Sequence, residues 1–402
     1  MYLNRLLKTR FSRALEHFPA VMVTGPRQSG KTTFVTEELK PNANYVTFDD
    51  PFEQSFAKED PNGFLDRFED KALILDEIQY APELLRYIKI RIDQNRSVAG
   101  RWILTGSQHF ELMHSVRETL AGRIAILELY PFSVLELPVS PDTLDLHEII
   151  WKGLYPDPAL GSDRDLWLQS YVATYLQRDV RDLVEIKDMH LFTTFLSICA
   201  ARHAQELNLA RIARECGISQ PTARRWIGVL EASYVIALIS PFHKNFGKRL
   251  VKSPKLYFID PGVASHLTRQ PSPAAAISGA MGGSLFEGLA VSEALKVASI
   301  HHQPCDISYW RSHDGLEVDL IIATGNRLIP VEVKLSSSPA ARHGESLQRF
   351  RKLAERPDTE DGILVCRVKK PTRLPHNNLA LPWSHFPGWL RDQLKISPDH
   401  RS

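Results

Sequence analysis

Nine consecutive residues, Gly25-Pro26-Arg27-Gln28-Ser29-Gly30-Lys31-Thr32-Thr33, constrain this chain more than any other stretch. They follow the apolar run Ala20-Val21-Met22-Val23 and precede the helix-forming residues Phe34 to Leu39, an order of strand, glycine-rich loop and helix. Gly25 and Gly30 admit backbone conformations closed to residues with a Cβ. Successive N–H groups can then converge on a triphosphate at the positive end of a helix. This is the pattern of a P-loop, in which Lys31 meets the β- and γ-phosphates of ATP and the Thr32 hydroxyl helps to hold Mg²⁺. The whole stretch, Gly25 to Thr33, is therefore the expected nucleotide-binding set.

The runs that follow fit a parallel sheet covered by helices. Tyr45 to Phe48, Ala72 to Leu75, Trp102 to Leu104 and Ile124 to Leu129 are apolar, and helical stretches at Glu83 to Gln94 and Glu111 to Ala121 separate them. A helix carrying Leu3, Leu7, Phe11, Leu15 and Phe18 on one face is expected before the first strand. The third run ends LILDEIQ, which puts Asp76 and Glu77 at the C-terminal edge of a buried strand, where ligands bind in open α/β sheets. Asp76 is expected to hold Mg²⁺ with Thr32, and Glu77 to polarise the attacking water. The fourth run ends WILTGSQ, and Ser107 or Thr105 is placed to contact γ-phosphate and water. Arg123, just before the last run, is the candidate for a finger inserted into a neighbouring subunit's site.

Taken together, GPRQSGKTT, LILDEIQYAPELLRYIKIRID, WILTGSQ, LAGRIAILELYPFS and WKGLYPDP resemble the prokaryotic AAA-type ATPases that carry a restriction-endonuclease-like C-terminal domain. The resemblance covers nearly the whole chain. It implies a sheet in which one strand is inserted between the P-loop strand and the strand ending in Asp76-Glu77, and homo-oligomeric assembly as a ring or partial ring.

Bulk properties narrow the setting. A chain of 402 residues has room for two or three domains. Its 49 Lys plus Arg against 47 Asp plus Glu mean that any nucleic-acid site is a local patch. No apolar run is long enough to span a membrane, and Cys199, Cys216, Cys305 and Cys366 form no CxxC pair, which together favour a cytoplasmic protein without structural zinc. His301, His302 and His313 lack a second ligand pair at metal spacing.

After proline-rich turns from Pro131 to Pro158 comes a helical stretch, Leu166 to Leu183, whose Arg178 and Arg181 fall where an AAA lid covers nucleotide. Leu209 to Cys216, Gly217-Ile218-Ser219 and Pro221 to Leu230 then give helix, turn and helix. Two strands around a basic loop follow, so a winged helix is expected. Arg224 and Arg225 on the second helix and Lys244, Lys248, Arg249 and Lys252 near the loop tip are the candidate DNA contacts, because basic side chains neutralise phosphates without reading sequence.

Residues 271–283, PSPAAAISGAMGG, read as a flexible linker. Beyond it, Glu287 on a helix, Asp319 in EVDL and Glu332 and Lys334 in VEVK resemble the PD-(D/E)xK nuclease core. Glu332 and Lys334 stand two apart on a strand and share a face, and Asp319 on the adjacent strand can join Glu332 on a second Mg²⁺ or Mn²⁺. Gln348 takes the place of an auxiliary polar residue.

The expected fold is thus α/β, with an AAA-type P-loop core over 1–134, a helical lid over 135–200, a winged helix over 201–267, a linker over 268–283 and a nuclease-like α/β domain over 284–402. The expected function is ATP hydrolysis coupled to DNA binding or remodelling, with DNA cleavage as a possible addition. The alternative is a nucleotide-switched protein-interaction module with an inactive nuclease-like domain.

Overall fold

The computed structural model describes residues 2–68, 70–106, 110–176, 189–242, 253–301, 303–312, 314–354 and 359–395, with the backbone alone for 110–112, 114, 175, 176 and 395. The chain forms two compact units, one of residues 1–132 with 232–234 and the other of 133–231 with 235–402.

The first unit is built on five parallel strands: β1 (Ala20–Thr24), β2 (Ala43–Thr47), β3 (Ala72–Asp76), β4 (Trp102–Thr105) and β5 (Ile124–Glu128). Their order is β2-β3-β4-β1-β5, so β4 is the strand inserted between β1 and β3. The central strands β1 and β4 are buried throughout, which is why they appear in the sequence as unbroken apolar runs. The edge strands β2 and β5 are mostly half-buried. Helices Lys31–Leu39 and Leu84–Gln94 follow β1 and β3. Ile88 and Ile92 of the latter join Phe48, Phe64, Leu75 and Leu104 in the core. The first helix, Lys8–His17, starts later than the apolar spacing suggests and buries Phe11, whose ring meets Phe34 at 5.0 Å. Full burial of one such ring contributes about 2–3 kcal/mol.

Register sets the functional edge. Thr47 pairs with Asp76, Leu75 with Leu104 and Val23 with Thr105, so Asp76, Thr105 and Thr24 end their strands in one row. That row is the C-terminal edge of the sheet.

The second unit holds a small antiparallel sheet in the order β6-β8-β7, formed by β6 (Gln205–Glu206), β7 (Ile236–Ile239) and β8 (Lys255–Phe258). It also holds a six-stranded mixed sheet of β9 (Cys305–Arg311), β10 (Glu317–Thr324), β11 (Arg327–Val333), β12 (Ile363–Cys366), β13 (Thr372–Leu374) and β14 (Asn378–Pro382). The order of the larger sheet is β13-β14-β12-β11-β10-β9. Tyr309 of β9 bonds the backbone of Ser240 and Phe242 just past β7, joining the two sheets. Among the described residues no helix is long and apolar enough to cross a membrane.

One expectation fails here. Residues 271–283 are no open linker: Ser272 caps helix Pro273–Ser278 by accepting from the Ala275 N–H at 3.2 Å, and Ala276 and Ile277 are buried. A Cβ on Gly282 would lie 1.9 Å from the Ile277 carbonyl oxygen. Small residues, which suggest flexibility in sequence, here allow backbones to touch. The stretches read as lid, winged helix and nuclease-like domain also share one compact unit.

Candidate functional site

The loop after β1 has the backbone its glycines imply. Gly25 takes φ +144°, Gly30 takes φ +88°, and a Cβ on Gly25 would sit 2.2 Å from the Leu129 carbonyl oxygen. Gln28 also has positive φ, at 59°. Lys31 is buried at the start of its helix, and its Nζ donates to the Pro26 carbonyl at 2.8 Å and the Gly25 carbonyl at 3.2 Å. Arg5 braces the loop from outside. Its guanidinium donates to the Ser29 carbonyl at 2.8 Å and the Tyr130 carbonyl at 2.6 Å, and lies 4.7 Å from the centre of the Phe132 ring.

Asp76 collects hydroxyls. Thr32 Oγ1 donates to its two carboxylate oxygens at 3.0 and 2.9 Å, Tyr45 Oη donates at 2.8 Å, and Thr105 Oγ1 donates as well. Asp76 is only 4% exposed. Burial, and then Asp76, raise the Tyr45 phenol above its ordinary pKa, which keeps it a donor. Glu77 follows in a left-handed conformation at φ 55°, its N–H donating to Thr105 Oγ1 at 3.3 Å and its carboxylate accepting from Gln79. A non-glycine residue held at positive φ beside a site is backbone strain of the kind that aims a side chain.

These residues fit Mg²⁺ and a nucleotide. Thr32 and Asp76 are hard oxygen donors already converged on one point, the donor set that Mg²⁺ prefers. Ser29 Oγ and Gln28 Oε1 are buried without a protein partner among the described residues, and the Gly25 cradle has no space for a side chain.

Of the expected residues, Thr32, Asp76, Glu77 and Thr105 meet at the sheet edge, while Ser107 lies outside the described residues. Arg123 stands at the opposite, N-terminal end of β5. It makes a two-pronged pair with Asp93, at 2.9 and 3.0 Å, well away from this chain's own P-loop. Tyr45 and Arg5 escaped sequence reasoning. Each lies far along the chain from the group it serves, and no local pattern marks either.

The second unit gathers another set. β10 and β11 pair Leu320 with Val331, which sets Asp319 beside Glu332, and β10 takes up an extra residue between Val318 and Ile321 against β9. Such bulges re-aim side chains. Asp319 Oδ2 accepts from the Val333 N–H at 2.8 Å and lies 3.7 Å from Lys334 Nζ, which also pairs with Glu332. Glu332 accepts from Ser346 Oγ at 2.9 Å. Gln348 instead lies against His376, so Ser346 is the helix residue that reaches the acids.

Glu287 accepts from Tyr257 Oη at 2.6 Å and from Lys255 Nζ at 2.9 Å. Lys255 also pairs with Glu317 and lies 3.9 Å from Asp319. Glu317, two residues before Asp319, could have been found from strand alternation; Lys255 and Tyr257 could not. Burial, and then the Asp319 charge, push the Glu287 carboxyl up to about 7 and that of Glu332 up to about 8. Burial opposes the charge of Lys255, but Glu287, Asp319 and Glu317 outweigh it and raise its pKa.

Helices Leu209–Cys216 and Gln220–Ala232 meet at Gly217, which is left-handed at φ 67°. Arg224 and Arg225 are exposed on the second helix. Lys244, Lys248, Arg249 and Lys252, with Arg178 and Arg181, lie outside the described residues.

Three family models match the chain. Residues 17–137 match an AAA domain, 143–274 match DUF8612 and 282–386 match DUF4143, the last two described as domains of unknown function. An uncharacterised protein of Mycobacterium tuberculosis is 30% identical over 339 residues, spanning 82% of this chain and 74% of that protein, and one of Mycobacterium bovis matches to the same extent. Among solved structures, a Walker-type ATPase of Pyrococcus abyssi is 14% identical, with a TM-score of 0.42 over 66% of this chain and 96% of that one. The RuvB Holliday junction branch migration motor of Thermotoga maritima is 19% identical, with a TM-score of 0.28 over 58% and 88%. Structural likeness at these scores supports no conclusion about function.

Proposed function

We propose that this chain, which belongs to the family of the two mycobacterial proteins and carries a P-loop AAA-type domain, is a Mg²⁺-dependent ATPase that couples nucleotide turnover to DNA engagement. The observation that carries the ATPase reading is the meeting of Thr32, Asp76 and Glu77 at the edge of the P-loop sheet.

Thr32 Oγ1 and the Asp76 carboxylate would hold Mg²⁺, which when bound supplies positive charge to the phosphates. Tyr45 and Thr105 keep the Asp76 oxygens oriented. Lys31 donates to the Gly25 and Pro26 carbonyls, neutral acceptors that a negatively charged triphosphate can outcompete for an ammonium. The loop from Gly25 to Thr33, with Pro26, Arg27, Gln28 and Ser29 between the glycines, supplies N–H donors for the phosphate chain. Glu77 takes a proton from the attacking water, and Gln79 fixes the carboxylate that receives it. Ser107 is assigned to the γ-phosphate. In a homo-oligomer, Arg123 is assigned to the neighbouring subunit's nucleotide, where a planar guanidinium stabilises charge on the transferring group.

DNA engagement is assigned to Arg224 and Arg225, with Lys244, Lys248 and Arg249, which lie outside the described residues, as further basic contacts of a winged helix. The support is two exposed arginines on the helix after the Gly217 turn. Glu287, Asp319, Glu332 and Lys334 are assigned to a nuclease-like site for a second divalent cation, Mg²⁺ or Mn²⁺. A specific observation favours the alternative, a nucleotide-switched module that does not cut: the Lys255 ammonium sits among these acids.

Calorimetric titration of the wild type and Lys31→Ala with Mg²⁺·ATP tests the nucleotide assignment. Binding by the wild type and its loss in the variant are expected; equal binding would remove Lys31 from the site.

A further inference from the structure

We propose that Lys255 is a tethered occupant of a divalent-cation site made by Glu287, Glu317 and Asp319, so that seating of β8 and loading of the cation exclude one another. The inference rests on reading the acids of the second unit as a metal site.

The geometry is specific. One carboxylate oxygen from each of Glu287, Glu317 and Asp319 lies within 4.8 Å of the other two, close enough to share one ion. The three come from two elements, with Glu287 on helix Gly282–Ser299 and the other two on β10. Lys255 is 4% exposed and points its Nζ at all three, at 2.9 Å from Glu287, in direct pairing with Glu317 and at 3.9 Å from Asp319. A compact ammonium with three donors is the side chain best able to imitate a small cation among oxygens.

The strand that delivers it reinforces the seat. Lys255 and Tyr257 are two apart on β8 and so share a face, and Tyr257 Oη donates to Glu287 at 2.6 Å. One strand thus sends a cation and a hydroxyl donor into the same cluster. Phe258, the last residue of β8, donates its N–H to His203 at 3.0 Å, which fixes the strand from behind.

The site is also short of charge when Lys255 alone fills it. Three carboxylates face one ammonium here, with Lys334 3.7 Å from Asp319 on the far side. A divalent ion balances them better but needs the space that Nζ occupies. Removing the ammonium while keeping the stem leaves an acidic pocket that must recruit an ion or protonate.

Mn²⁺ binding, read from loss of the free-ion electron paramagnetic resonance signal, tests this on the nucleotide-free full chain. Lys255→Met is expected to gain about one Mn²⁺ per chain over wild type, as a three-carboxylate site can. Lys255→Arg, which keeps a cation, and Lys255→Met with Glu287→Gln should not gain it. The P-loop contributes equally to every variant. Equal Mn²⁺ uptake by wild type and Lys255→Met overturns the proposal.

Should Lys255→Met fail to fold, reductive methylation of wild-type Lys255, followed by mass spectrometry, keeps the question open to an answer. Excess Mn²⁺ is expected to expose the amine and raise its labelling, and unchanged labelling overturns the proposal. A Lys255→Met protein that gains Mn²⁺ but cuts no DNA keeps this inference while removing the cleavage reading.

Discussion

The Tyr45 hydroxyl of edge strand β2 donates to Asp76 Oδ2 across 2.8 Å, joining Thr32 and Thr105 on a single carboxylate. Asp76 is therefore oriented before any cation arrives. Replacing Tyr45 by Phe removes one orienting bond and no direct ligand. The Mg²⁺ concentration for half-maximal ATP turnover should rise about tenfold, with little change at saturating Mg²⁺. An unchanged Mg²⁺ dependence would show that Tyr45 plays no part.

Arg5 bridges the Ser29 and Tyr130 carbonyls, two acceptors left without this donor once the arginine is gone. Arg5→Ala should cost about 1.5–3 kcal/mol in urea unfolding and weaken ATP binding together. Arg5→Lys should recover only part of both, because an ammonium cannot present the planar fork. Full recovery with Lys would mean that charge alone matters.

His203 accepts the Phe258 N–H on Nδ1 at 3.0 Å and is buried, and this burial lowers its pKa from 6.5 to about 3. Below pH 6.5 the unfolded ring takes a proton that the folded ring refuses. Its contribution is thus complete above pH 6.5 and lost as pH falls toward 3, by up to about 1.4 kcal/mol per pH unit. His203→Asn retains an acceptor without a titrating proton. Its stability curve should be flatter than wild type between these limits; parallel curves would refute the assignment.

Arg224 and Arg225 are the described part of the DNA surface we assign. The double substitution to Ala should weaken duplex DNA binding and flatten the log–log salt dependence by about 2, one for each phosphate no longer neutralised. Full affinity with an unchanged slope would move DNA engagement away from this helix.

How much of this was legible follows from sequence distance. The loop Gly25 to Thr33 and the Asp76-Glu77 pair could be read because each is contiguous, and because strands buried on both faces are written as unbroken apolar runs. Alternation along β10 and β11 likewise brought Asp319, Glu332 and Lys334 together. Tyr45, Arg5 and Lys255 act on groups 24 to 125 residues away, and only the folded register introduces them. The PSPAAAIS segment misled for a different reason, since small residues serve tight packing as readily as flexibility.

Steady-state ATP turnover of Glu77→Gln beside wild type, with ATP binding measured on both, bears most directly on the assignment of hydrolysis to the sheet edge. The variant keeps the P-loop, Thr32 and Asp76 and lacks only the base. ATP binding should persist while turnover falls about 100-fold or more. Equal turnover by the two proteins would contradict the account.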